Sequence, residues 1–247
     1  MKNFIFFLLI ISLNSYSQEY NGKVIYKIKS NSENYLNNIK NDTSLSQHIK
    51  KGIIKDFSLN KPVNFILYID KNESIYKAEI DTQTRLKLGD NAMNVTSIMA
   101  GDSYVYYTNL LTGQLLFQSS YFPDLLINSD TINWEFTGEV KKIGKYMCHE
   151  AIAYSVSDQF SGLKVIRPVV AWYAPDIPLK FGIGGFSGLS GLIIEMLVHY
   201  ETGTLSYSAI DIAIKSNDEI VIEKPTGKKM FTQQEYINYV KKIRGSH

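Results

Sequence analysis

Two prolines and five glycines fall between Trp172 and Glu195, a stretch that reads WYAPDIPLKFGIGGFSGLSGLIIE. Proline fixes φ and removes an amide donor, and glycine opens the left-handed backbone region, so neither a helix nor one continuous strand runs through it. Apolar runs of strand character flank it, Val165 to Tyr173 before and Leu192 to Glu201 after. The chain must therefore cross from one strand to another by several turns, and glycine lets backbone approach backbone there.

The rest of the chain reads as strands and two helices. Val24, Tyr26 and Ile28 alternate with Lys23, Lys27 and Lys29, the period-two pattern of a half-buried strand. Val63 to Ile69 and Ser74 to Ile80 form an expected hairpin around Asp70 to Glu73, and Tyr104 to Thr108 pairs with Gln114 to Phe122 across Thr112-Gly113. Ile132 to Ile143 and Lys145 to Ser157 alternate on either side of Gly144, and Thr204 to Ile214 returns after Gly203. Leu45, Ile49, Ile53 and Phe57 recur every fourth residue and predict a helix over 44–57. Asp81 to Asp102 is polar and mixed and reads as a loop. At the C-terminus, Thr232 and Glu235 have the spacing of a capping box, with Phe231 and Tyr236 placed for a hydrophobic staple. Tyr236, Val240 and Ile243 then form the apolar stripe of a short helix.

The first residues resemble an export signal: Lys2, a ten-residue apolar run from Phe4 to Leu13, then Ser15 and Ser17 at the small-residue positions before a cut. The chain is expected to be secreted or periplasmic, with a signal peptide at 1–17 and one domain at 18–247. No later run is apolar enough to span a bilayer. Cys148 is the sole cysteine of the sequence, so the expected mature chain has neither an intramolecular disulfide nor a lipoprotein cysteine at its start. Removing 1–17 takes away Lys2 and leaves a net charge of +1, without the basic excess that marks nucleic-acid binding.

Gly188-Leu189-Ser190-Gly191-Leu192-Ile193 resembles the signature of the GLPGLI family of exported bacterial envelope proteins, with Ser190 where the signature carries proline. Ile132-Asn133-Trp134, Lys141-Lys142-Ile143-Gly144, Cys148 with Ala151, and Ala171-Trp172-Tyr173 with Ile177-Pro178 extend the likeness over about residues 130 to 215. The resemblance implies an envelope address and an uncharacterised activity. The exchange of proline for Ser190 gives the turn more backbone freedom.

Catalytic patterns fit poorly. Neither Ser187 nor Ser190 completes G-x-S-x-G, and a strand is expected after Gly191 where a nucleophile elbow needs a helix. The glycines form no G-x-G-x-x-G and no Walker lysine follows them. A metal site is the alternative chemistry. Glu195, His199 and Glu201 are expected on one strand face with Leu197, and His149 or Glu150 on a neighbouring strand would complete a divalent-ion set. Aromatic residues make up 13% of the chain, enough to line a concave sheet face for an apolar or extended ligand, with Trp134, Trp172 and Tyr173 as candidates.

The expected fold is mainly β: a single curved antiparallel sheet or partial barrel with two or three packed helices, close in architecture to a lipoprotein-carrier half-barrel. The expected function is non-enzymatic binding of an envelope protein partner or an apolar ligand.

Overall fold

The alternating segments form strands throughout the computed structural model, which describes residues 20–58, 60–80, 94–158, 164–214 and 220–244. The expected signal peptide lies outside them, as does 81–93 of the expected loop. The strands are β1 (Asn21–Asn31), β2 (Val63–Asp70), β3 (Glu73–Ala78), β4 (Tyr104–Asn109), β5 (Gln114–Ser119) and β6 (Leu125–Asn128). They continue as β7 (Glu135–Ile143), β8 (Tyr146–Asp158), β9 (Lys164–Ala174), β10 (Leu192–Tyr200), β11 (Gly203–Ile214) and β12 (Lys229–Thr232). The helices are α1 (Glu33–Asn41), α2 (Gln47–Ser58), α3 (Val95–Ala100) and α4 (Gln233–Arg244).

All twelve strands belong to one open sheet in the order β12-β6-β5-β4-β3-β2-β1-β11-β10-β9-β8-β7. Its curvature follows from one short connection. Strands β6 and β7 stand ten places apart in that order, about 48 Å if the sheet were flat. Yet β6 ends at Asn128 and β7 begins at Glu135. A link of that length reaches at most about 25 Å, so the sheet must curl until its two ends approach.

The curl makes an inner face, marked by Val24, Tyr26 and Ile28, all fully buried, while Lys23, Lys27 and Lys29 point outward into solvent. Strand registers extend this face through Leu67, Tyr76 and Tyr106 on one side and Tyr207, Met196, Ala171 and Ala151 on the other. The segment between β9 and β10 lies against it. Ile177, Leu179, Phe181, Ile183 and Leu189 join the same core cluster as the sheet residues.

The sheet is mixed rather than purely antiparallel, because β12 runs parallel to β6. The chain reaches that edge only after passing over the outer face. Ile222 packs on the cluster of Ile75, Tyr107, Leu116 and Leu126, and the Gln118 side-chain amide donates to the Thr226 carbonyl at 2.6 Å. After β12 the chain turns inward as α4, so the segment from Ile222 to the end of α4 wraps one end of the sheet on both faces.

Several local expectations need correction. The hairpin between β2 and β3 turns through two residues, with Asp70 paired to Glu73 and Lys71 at φ 52. The expected loop ends in α3, whose turn closes on Gly101 in the left-handed region, and the Ser97 hydroxyl donates to the Asp102 carboxylate. Helix α2 begins at Gln47, where Ser46 accepts from the Ile49 amide, and it packs on the unexpected α1 through Tyr35 and Phe57. Its Lys50, although buried, donates to the Lys40 carbonyl at 3.0 Å. The capping box of α4 forms as expected: the Thr232 amide donates to Glu235 at 2.7 Å and the Glu235 amide to Thr232 at 3.2 Å. Phe231 packs on the cluster that holds Tyr236, where the staple was expected, and also makes an edge-on ring contact with Tyr239.

Two glycines test this description in opposite directions. A Cβ at Gly182 would sit 2.0 Å from the Phe186 carbonyl oxygen, whereas one at Gly52, within α2, would meet nothing within 4 Å. Gly182→Ala is expected to lower unfolding free energy by about 3 kcal/mol. Gly52→Ala is expected to raise it by about 0.5–1 kcal/mol. Urea denaturation of both variants measures the pair.

Candidate functional site

The glycine-proline segment crosses the inner face and ends in a tight turn. Ile183 and Phe186 exchange both amide bonds, at 3.2 and 2.9 Å, around Gly184 at φ 57 and Gly185 at φ 86. Two consecutive positive φ values describe the two-residue hairpin turn that glycine pairs favour. Its tip rests on two tyrosine rings: a Cβ on Gly185 would lie 3.4 Å from Tyr106, and one on Gly184 would lie 3.9 Å from Tyr76. Beyond the tip, the Trp134 indole N–H donates to the Ser187 carbonyl at 2.8 Å. Residues from near both ends of the curled sheet thus hold one short peptide.

The six signature residues divide by role. Leu189, Leu192 and Ile193 are buried in the core, and the Tyr26 hydroxyl donates to the Ile193 carbonyl at 2.8 Å. Gly188 has φ 98 and faces Trp134, while Gly191 lies against Ala174. Ser190 is exposed. Leu192 begins a strand, and among the described residues no hydrogen bond joins Ser187 or Ser190 to a histidine.

The concave face is therefore occupied by the chain itself. Between the crossing and β3–β5, beside Tyr76, Tyr106, Gly185 and Ser187, a gap of about 10 Å³ is left, the volume of a single water probe. Trp134, Trp172 and Tyr173 do not converge there. The indole N–H of Trp134 is committed to the crossing. Trp172 and Tyr173 are consecutive on β9 and face opposite ways. Trp172 carries the Lys141 ammonium 4.2 Å above its ring on the outer face, whereas Tyr173 packs between His149 and Phe136 on the inner face.

The proposed metal set does not converge either. Glu195 and His199 share the outer face but lie four residues apart, about 13 Å along a strand, whereas ligands to one ion sit about 2 Å from it. Glu195 is held by Lys141 at 3.0 Å. Glu201 falls in the turn after β10, and His149 pairs with Tyr173 on the other face of the sheet. Among the described residues, no three His, Cys, Asp or Glu side chains are grouped to hold a metal. Cys148 is fully buried, and burial first, then the Glu195 charge, pushes its thiol pKa up, away from the reactive thiolate.

The larger opening lies where the C-terminal helix meets the sheet. A groove of about 610 Å³ runs between α4, α3, the start of β4 and the turn after β5, lined by Tyr104, Phe122, Tyr236, Ile237 and Val240, with Ile98 from α3. Tyr104 and Tyr236 bring their hydroxyls to 3.5 Å at its floor, and Phe122 stands edge-on to Tyr236. Exposed Ile98, Tyr121 and Ile243 form an apolar rim, and Lys241 is the one charged side chain of the lining. The Tyr236, Val240, Ile243 stripe was legible in the sequence as a helix face. The groove was not, because its other wall comes from Tyr104, Phe122 and α3.

No family model and no curated protein matches this chain. Among solved structures, it is similar to PNGF-II in C2 and P21 crystal forms, with TM-scores of 0.46 and 0.42 and identities of 13% and 12% over 90% of this chain. The chain spans about a third of PNGF-II, 32% and 33% in the two forms. It is also similar to LprF from Mycobacterium bovis, with a TM-score of 0.31 and 9% identity over 84% of this chain and 90% of that one. Among the described residues, no helix is long and apolar enough to cross a membrane.

Burial holds the phenol groups of Tyr26, Tyr76, Tyr106 and Tyr207 well above their usual range. In the unfolded chain each ionises near pH 10, so above that pH the unfolded state releases protons that the native state keeps. Their contribution is complete below about pH 10 and is lost as pH rises. With four phenols at about 1.4 kcal/mol each per pH unit, unfolding free energy is expected to fall by roughly 5–6 kcal/mol per unit above pH 10. Urea denaturation between pH 9 and pH 11.5, at about half-unit steps, measures that slope, and a flat profile would contradict it.

Proposed function

We propose that this chain is an exported, non-enzymatic binding protein of a bacterial cell envelope, as its GLPGLI-like signature and signal-like N-terminus imply, and that it takes an apolar or extended ligand in the groove beside α4. The groove carries this reading. Its volume of about 610 Å³ lies within the roughly 300–1,000 Å³ of small-molecule sites, and an aromatic and aliphatic lining with a few polar groups is their usual chemistry. Where the crossing lies against the sheet there is no comparable room, because its apolar side chains fill the space.

The neutral fluorophore N-phenyl-1-naphthylamine is expected to bind the purified protein saturably at one site. Val240→Asp, which places a carboxylate on a half-buried groove wall, is expected to weaken that binding at least about tenfold by burying an uncompensated charge against the ligand. Absent saturation, or equal binding by the variant, would rule the groove out. Export carries its own check: protein recovered from the envelope fraction is expected to begin at Gln18.

A further inference from the structure

The groove beside α4 differs in chemistry between its interior and its rim. Inside, Phe122, Ile237 and Val240 present only carbon, and the hydroxyls of Tyr104 and Tyr236 turn toward each other at 3.5 Å. Ser103, the other polar residue of the lining, accepts the Ser120 amide at its carbonyl at 2.8 Å. A polar group carried deep into such a space gives up its water for little in return. The part of a ligand held there is therefore hydrocarbon. A volume of about 610 Å³, that of roughly twenty water molecules, admits a long chain.

The rim supplies one charge. Lys241 stands in the lining without an Asp or Glu among the described residues beside it there. It is half-buried, so its methylene stem extends the apolar wall past Val240 while its ammonium stays in water. Lys241 also has a contact within the protein, and an ammonium carries three donors, enough for that contact and a ligand oxygen. Ile98, 57% exposed, and Tyr121, 60% exposed, flank the opening with apolar surface that a bound chain would cover.

These two halves call for an amphiphile. An anion drawn inside would lose its hydration, whereas one at the rim keeps its water and gains an ion pair. No arginine or second lysine joins the described lining to hold the larger charge of a phosphate, so one ammonium matches one carboxylate. We propose, resting on the reading of this groove as a ligand site, that its ligand is a free long-chain fatty acid, with the chain along α4 and the carboxylate at Lys241.

Displacement of N-phenyl-1-naphthylamine from the purified protein at about pH 8 tests this, with tetradecanoate, tetradecanol and tetradecanoyl-lysophosphatidylglycerol as competitors below their micelle concentrations. Tetradecanoate is expected to displace the fluorophore at about fivefold lower concentration than the alcohol of the same length, the scale of one part-exposed ion pair. Lys241→Met, which keeps an unbranched stem and removes the charge, is expected to erase that preference with the melting temperature unchanged. About 1 M NaCl is expected to narrow the preference in the unaltered protein. Equal displacement by acid and alcohol, a preference that survives in Lys241→Met, or displacement by the lysolipid but not by the acid would overturn the fatty-acid assignment and leave the groove standing as a site for other apolar ligands. A fluorophore that does not bind at all would instead remove the groove reading, and this assignment with it.

Discussion

At Gly191 the crossing lies so near the preceding strand that a Cβ would stand 2.4 Å from the Ala174 carbonyl oxygen, and at Gly182 one would stand 2.0 Å from that of Phe186. These are contacts of backbone with backbone, which no rotamer change relieves. They let a peptide with five buried apolar side chains fold flat against the inside of a curled sheet. A twelve-strand sheet that curls without closing must fill its concavity with something apolar, since its inner face is lined by groups such as Phe65, Leu67 and Met196. Here the chain supplies that filling from its own β9–β10 connection. The tyrosines beneath it serve the same end: Tyr26 holds Ile193 by its hydroxyl, while Tyr76 and Tyr106 offer their rings to the glycine turn.

Filling the concavity moves recognition to the periphery. The signature residues and Trp134 are consumed in joining crossing to sheet, so their chemical reach ends inside the protein. The outer charges behave similarly: Lys141 is shared between Glu195 and the Trp172 ring, and Glu150 accepts from Thr137 at 2.9 Å. Two openings lie where a helix meets the sheet without filling the angle between them. One, beside α4, is apolar, and the other, beside α1, is polar.

The C-terminal wrap secures the far end of the sheet. Its outer limb covers Ile75, Tyr107 and Leu116 with Ile222, the edge is occupied by the four-residue β12, and α4 then sets Tyr236 against Phe117 and Phe122 on the inside. Edge strands expose unpaired amides, and a short parallel strand fixed by a capped helix protects that edge. The other edge, β7, is broken by an irregular register between Phe136 and Val140 with Gly138 at φ 84. Such a bulge hinders pairing with another strand.

Local physics was readable in the sequence. Period-two alternation gave nearly every long strand, the Thr232–Glu235 spacing gave the capped helix, and the glycine-proline stretch marked a crossing rather than a strand or helix. Short elements escaped, because β6, β12 and α3 have too few residues to display a period and are stabilised by what they pack against. The candidate ligand residues do not converge for a related reason. Alternation places Trp172 and Tyr173 on opposite faces, but it cannot say that one face is already filled. Sequence by itself determined which residues prefer strand, turn or helix, since those preferences act over a few neighbouring bonds. Only the tertiary structure decided that the sheet curls around its own crossing and that the open surfaces lie beside α1 and α4, since both depend on contacts between residues distant along the chain.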